Sequence, residues 1–134
     1  MREILYRAIS LCKGEHWLYG YPRHYARTPH TEKWTIYDPK TGIETDIDPE
    51  TLGEYSDILD KESNPIFEGD IIKVESLQPD SFGKECVGIV IFEGGRYWLI
   101  RADKPELKQT LRIAELENNI EIIGNIHDNP ELLH

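Results

Sequence analysis

Residues 42–74, GIETDIDPETLGEYSDILDKESNPIFEGDIIKV, decide how the chain is read. They open on an alternating arm in which Ile43, Thr45 and Ile47 fall on one side of a strand and Glu44 and Asp46 on the other. Asp48-Pro49-Glu50-Thr51-Leu52-Gly53 then predicts one helical turn. Asp48 caps it, Pro49 takes the first position, Glu50 suits the N-terminal dipole, and Gly53 ends it. The polar stretch Asp60–Asn64 before Pro65 predicts a loop and places a boundary between an N-terminal region, 1–62, and a second region, 63–134. Phe67-Glu68-Gly69-Asp70 predicts a tight turn into the β-branched run that follows. Eight carboxylates lie between Glu44 and Glu62, yet the stretch holds no nucleophile, Gly-rich phosphate loop or metal-ligand spacing. It specifies architecture rather than chemistry.

Period-two patterning continues on both sides. Upstream, Glu3–Ile9 and His16–Tyr21 predict a hairpin turning at Cys12–Glu15, and Tyr25–Thr31 a loop. Lys33–Tyr37 alternates, with Trp34 and Ile36 on one face and Thr35 and Tyr37 on the other, and Asp38-Pro39-Lys40-Thr41-Gly42 is a turn sequence. Downstream come Ile71–Leu77, a loop Gln78–Lys84, Cys86–Glu93, the Gly94-Gly95 turn and Arg96–Arg101, an order similar to SH3-like barrels. Val74 and Val90 are the expected core residues of that region. Residues 106–119 fit both helix and strand; a short strand at Lys108–Arg112 and a helical turn at Ala114–Asn118 are favoured. Ile120–Ile126 predicts a strand, interrupted at Gly124 by a bulge or a close backbone approach, and Asn129 is the expected cap of a last helical turn. The expected fold is mainly β, in several sheets: an N-terminal hairpin-rich part, a partial SH3-like barrel, and short helical turns only.

A chain of 134 residues with 39% hydrophobic content can bury a core without disulfide or metal staples. No apolar run approaches the ~20 residues that cross a bilayer, and MREILYRA is charged at once, unlike a signal peptide. Cys12 and Cys86, far apart in sequence, are expected to be buried or inert thiols of a reducing cytosol. The net charge of −10 is segregated. Residues 1–37 carry six Lys/Arg against three acids, whereas residues 38–70 carry eleven acids against Lys40 and Lys61. Complementary surfaces follow, within one chain or between copies. General nucleic-acid binding is disfavoured, because neutralising phosphates needs a basic face.

Catalytic and metal chemistry find little footing. Asp46, Asp48 and Glu50, or Glu68 and Asp70, sit close enough in sequence for an acid–base pair, but turn acids ordinarily serve the backbone. Pro49 breaks any calcium-loop pattern, the five histidines show no HxxxH or HExxH, and Cys12 with His16 would need two further ligands. No Ser lies in a G-x-S-x-G context, and Gly94-Gly95 lacks the Lys-Ser/Thr of a phosphate loop. The expectation is no catalytic residue, no metal and no cofactor.

Binding character concentrates in the first quarter, where seven of thirteen aromatics are interleaved with cations. Trp17, Tyr19 and Tyr21 alternate on one strand face, and the first reading is that this is simply the packed side of a sheet. A self-association surface is the second and single-stranded nucleic acid the third. Interface candidates are Trp17, Arg23, Tyr25, Arg27, Lys33 and Trp34. Arg23, Arg27 and Lys33 of one copy are expected to meet the acidic segment of the next.

MREILYRA at the start, Trp17-Leu18-Tyr19-Gly20-Tyr21, the 42–74 stretch and IEIIGNIHDNPELL near the end, in that order, resemble the YopX family of phage and prophage proteins. Ser56-Asp57 stands where that family usually has a Thr-Gly turn, and Asn64-Pro65 where Gly and a polar residue are common. The resemblance implies phage origin and transfers no site residues. The function expected is a non-enzymatic, self-assembling binding module of the bacterial cytoplasm, a homo-oligomer off the membrane, with an unidentified phage or host protein as a further partner. Its rivals are an acidic-surface regulator of a host or phage protein and a small hydrolase or nucleic-acid processing enzyme.

Overall fold

Alternation along β1 (Tyr6–Ile9), β2 (Trp17–Tyr25) and β3 (Lys33–Asp38) sends Ala8, Leu18, Trp34 and Ile36 to one side, where the first core forms. The computed structural model describes residues 5–26, 28, 32–77, 84–106 and 108–133, and the chain divides into two compact units, 1–55 and 56–134. In the first unit, β4 (Ile43–Asp46) and the start of β5 (Gly53–Leu59) complete an antiparallel sheet in the order β4-β3-β2-β1-β5. Ala8, Ile36 and Ile47 are its buried centre, with Leu18, Trp34 and Leu52 packed against them. The β3–β4 turn closes as read, with the Asp38 side chain accepting the Lys40 N–H and its carbonyl accepting the Gly42 N–H. Asp48 caps the 3₁₀ turn Pro49–Thr51 by accepting the Glu50 N–H at 3.0 Å. Thr51 ties that turn to β1, its hydroxyl accepting the Ile9 N–H at 2.8 Å and donating to the Asp48 carbonyl at 2.6 Å.

Gly53 begins β5 instead of merely ending the turn, and β5 has no counterpart in the sequence reading. Its alternation breaks at Asp57, whose φ of +66° is left-handed. Aspartate is among the few side chains that tolerate this region. Ser56 holds the irregular stretch, its hydroxyl donating to the Ile66 carbonyl at 2.7 Å and accepting the Ile58 N–H.

The second unit comprises the rest of β5, β6 (Pro65–Phe67), β7 (Asp70–Ser76), β8 (Glu85–Glu93), β9 (Arg96–Arg101), β10 (Lys108–Thr110), a helix α1 (Leu111–Glu117) and β11 (Asn118–Asn125). Its five-stranded antiparallel sheet runs β10-β9-β8-β7-β11, so the last strand returns beside the first. Ile58, Ile66, Ile72, Val74, Val90, Leu99, Leu111, Ala114 and Ile120 form the core, which contains both valines expected there. The expected strand at Lys108–Arg112 is shorter than read. Thr110 ends it and caps α1, accepting the Ile113 N–H, and Leu111 and Ala114 bury one side of a helix longer than the single turn expected. At Gly124 the expected bulge is present, and the close approach is that of a side chain rather than of another backbone. The β7–β11 register shifts between Ile122 and Gly124, and a Cβ there would lie 2.6 Å from Asn129 Oδ1. That side chain accepts the Asn125 N–H, so Asn129 braces the strand as well as preceding the turn Pro130–Leu133.

Among the described residues no helix is long and apolar enough to cross a membrane. Glu3 and Ile4 of the first expected strand, most of the loop around Pro29, and residues 78–83 of the loop after β7 lie outside the described residues.

Candidate functional site

The register of β1 to β4 assembles a polar and aromatic face opposite the first core. On β2, Tyr19, Tyr21, Arg23 and Tyr25 share that face by period two. Cross-strand pairing sets Arg7 beside Tyr19, Tyr37 beside Tyr21, Thr35 beside Arg23 and Lys33 beside Tyr25, then Glu44 beside Tyr37 and Asp46 beside Thr35. Tyr19, Tyr21 and Tyr25 are 46%, 39% and 45% exposed, so the alternating aromatics are the open side of the sheet and not its packed side. Leu18 and the buried Gly20, between them, turn inward.

Glu44 is the hub. One carboxylate oxygen accepts from Arg23 Nη1 at 2.9 Å; the other accepts from the Tyr25 hydroxyl at 2.8 Å and the Thr35 hydroxyl at 2.7 Å. These donors, Thr35 foremost and then Tyr25, hold the Glu44 carboxyl below the ordinary carboxylate range. The Arg23 guanidinium is raised in turn, first by Tyr25 and also by Glu44, and lies 4.4 Å from the centre of the Tyr37 ring. Lys33 pairs with Asp46 at 3.3 Å, and Arg7 sits 4.3 Å over the Trp17 ring. Two of the three cations expected to seek the acidic segment of a neighbouring copy thus find it within their own chain; Arg27 lies outside the described residues.

A carboxyl whose folded pKa is depressed contributes stability above its unfolded value and loses it as pH falls through the folded one. Acidification from neutral pH should therefore lower the melting temperature of the native chain more steeply than that of Glu44→Gln. Parallel curves from about pH 7 to about pH 3 would show that the donors do not favour the ionised form.

Trp34 does not join this face. Its ring packs toward the first core and stacks on His24, centroids 4.2 Å apart, while Trp34 Nε1 and His24 Nε2 both meet Glu32 Oε1, at 3.1 and 2.8 Å. The candidates therefore divide. Trp17, Arg23, Tyr25 and Lys33 share the open face, and Trp34 lies on the other. Tyr19 and Tyr21, read from the sequence as the packed side, belong to this face too, and Thr35 and Glu44 join it without having been singled out. Only the strand register brings Thr35 and Glu44 there, and it depends on the length of β2, which runs to Tyr25 rather than Tyr21.

In the second unit a cavity of about 370 Å³ borders Cys86, Val74, Leu99, Arg101, Lys108 and Asn118. Burial pushes the Cys86 thiol up, away from the thiolate that nucleophilic chemistry uses. Arg101 is held by a two-pronged bond to Asp103, at 3.0 and 2.8 Å. Both thiols are free; Cys12 is exposed rather than buried, and Cys86 is half-buried. Among the described residues no three His, Cys, Asp or Glu side chains gather closely enough to hold a metal ion.

The family model described as YopX protein matches residues 5–134, and the chain belongs to the YopX family. Its fold is similar to the crystal structure of protein yopX from Bacillus subtilis, with TM-score 0.59 and 20% identity over 97% of this chain and 98% of that one. It is also similar to the crystal structure of protein EF1440 from Enterococcus faecalis, with TM-score 0.53 and 18% identity over 100% of both chains. At these identities the likeness speaks for the fold alone. No curated protein matches the sequence.

Proposed function

We propose that this YopX-family chain is a non-enzymatic binding module of phage or prophage origin, working in the bacterial cytoplasm and assembling with copies of itself through the tyrosine face of its first sheet. The observation that carries this reading is the exposure of Tyr19, Tyr21 and Tyr25 on one face whose cations are already matched. Tyrosines give a large, stiff contact area with a polar tip, and interfaces are enriched in them. Arg23 and Lys33 have acids of their own, so they leave the face near neutral and open to a second copy. The attraction is therefore aromatic burial rather than charge pairing between subunits, since exposed ion pairs contribute little.

The acidic-surface regulator draws less support. Of the eleven acids in residues 38–70, Glu44 and Asp46 pair with cations. Asp38, Asp48, Asp60 and Asp70 bond backbone N–H groups. A small hydrolase lacks support for the same reason, and because burial raises the Cys86 thiol rather than lowering it as an activated nucleophile needs. We read the second unit as an SH3-like scaffold, supported by β11 returning antiparallel onto β7 after the helical turn.

Co-expression of two differently tagged copies tests the reading inside cells. With the native sequence, capture of one tag should bring down the copy that carries the other, and recovery should collapse when Tyr19 and Tyr21 are both changed to Glu. Equal recovery of the double variant would place any self-association elsewhere.

A further inference from the structure

A cavity of about 340 Å³ in the second unit is walled by Ser56, Ile58, Arg96, Tyr97, Thr110 and Arg112, with no carboxylate among them. Two guanidinium groups around one cavity are conspicuous in a chain of net charge −10. Arg96 has no side-chain hydrogen bond or ion pair among the described residues. Arg112 meets Glu115 at 3.3 Å, but the two side chains are 56% and 31% exposed, so this pair is weak and exchangeable. Thr110 accepts the Ile113 N–H, which leaves its own O–H to donate. Ser56 is spent on the Ile66 carbonyl. The remaining wall is apolar: Ile58 is buried in the core, and the Tyr97 ring packs at 4.9 Å on Phe92.

We propose that this cavity binds a small organic oxyanion, a carboxylate or phosphate monoester carried on an apolar group of about one ring. Arg96 and Arg112 hold the charged end through charge-assisted bonds, for which the guanidinium fork is suited, and Thr110 donates a further bond. Tyr97 and Ile58 receive the apolar end. The volume stands at the small end of the ~300–1,000 Å³ typical of ligand pockets, which limits the ligand to this size. No catalytic step is implied, because the walls offer neither a nucleophile aimed at the ligand nor a carboxylate base.

Isotope-labelled full chain titrated with phenyl phosphate, benzoate and neutral benzamide, read by amide resonances, tests the site. Both anions should shift Tyr97 and Thr110 saturably, with benzamide weaker by about tenfold or more, the usual worth of a charge-assisted hydrogen bond. The tighter of the two anions names the natural headgroup chemistry. Arg96→Ala with Arg112→Ala should lose both anions while the rest of the spectrum stays native, since both side chains lie at the surface; the double Lys variant should recover part of the binding. Benzamide binding as tightly as benzoate, no saturable shift with either anion, or unchanged binding by the double Ala variant would overturn the proposal.

Discussion

Gly20→Ala is expected to abolish folding of the first unit. A Cβ at Gly20 would lie 2.1 Å from the Tyr37 carbonyl oxygen and 2.8 Å from its carbon, both backbone atoms held by the β2–β3 ladder. No side-chain rotation relieves such a collision. Either β3 moves off β2, or β2 twists and carries Tyr19 and Tyr21 with it. Overpacking of this severity, against backbone, belongs at the upper end of single-substitution effects, about 4 kcal/mol or more. Thermal unfolding with Leu11→Ala as a control checks it, because Leu11 is 66% exposed, lies in the same unit away from the tyrosine face, and should cost little. A Gly20→Ala chain melting within a few degrees of the parent would mean that β2 and β3 do not approach as closely as described.

Asp60→Ala should be the most damaging loss of a single carboxylate in the second unit. Asp60 is only 6% exposed, and its two oxygens accept three backbone N–H groups: those of Glu62 at 3.0 Å, Asn64 at 2.9 Å and Ile122 at 3.1 Å. The first two shape the turn between β5 and β6; the third, with the Lys61 N–H donating to the Ile120 carbonyl, fastens that turn to β11. Removing the carboxylate strands all three donors at once, at a cost of roughly 3 kcal/mol from unsatisfied buried groups. Asp60→Asn keeps one acceptor oxygen and should fall between native and Ala. Chemical denaturation of the three chains measures it. Equal midpoints would show the loop to be the solvated spacer that its composition suggests.

These two sites mark where sequence reading stopped. Alternation at Trp34-Thr35-Ile36-Tyr37 separates two faces, Trp34 with Ile36 and Thr35 with Tyr37, without saying which of them is buried. The same alternation at Trp17-Leu18-Tyr19-Gly20-Tyr21 grouped the aromatics correctly and put them on the wrong side. Period two tells which residues share a face, not which face is wet. That is settled by Ala8, Ile36 and Ile47 packing against Leu18, and by a backbone approach that only glycine allows. Strand β5 was illegible because Asp57, at positive φ, interrupts the period halfway. Asp60 looked like loop because its burial depends on β11, which lies some sixty residues further along the chain. Residues 106–119 fit both patterns because a three-residue strand, Lys108–Thr110, runs straight into a helix that the strand's last residue, Thr110, caps. The charge segregation was plain in the sequence, but its resolution within one sheet needed the β3–β4 register.

The mass of the purified chain in solution tests the central claim most directly. Light scattering at micromolar concentration should give a multiple of 15.6 kDa both in low salt and at about 1 M salt, where the screening length shrinks to ~3 Å. Salt should leave the assembly intact because Arg23 and Lys33 are paired within the chain and the proposed interface rests on aromatic burial. The Tyr19→Glu, Tyr21→Glu variant should return the monomer mass. A native chain that stays at 15.6 kDa under both conditions would contradict self-assembly through this face.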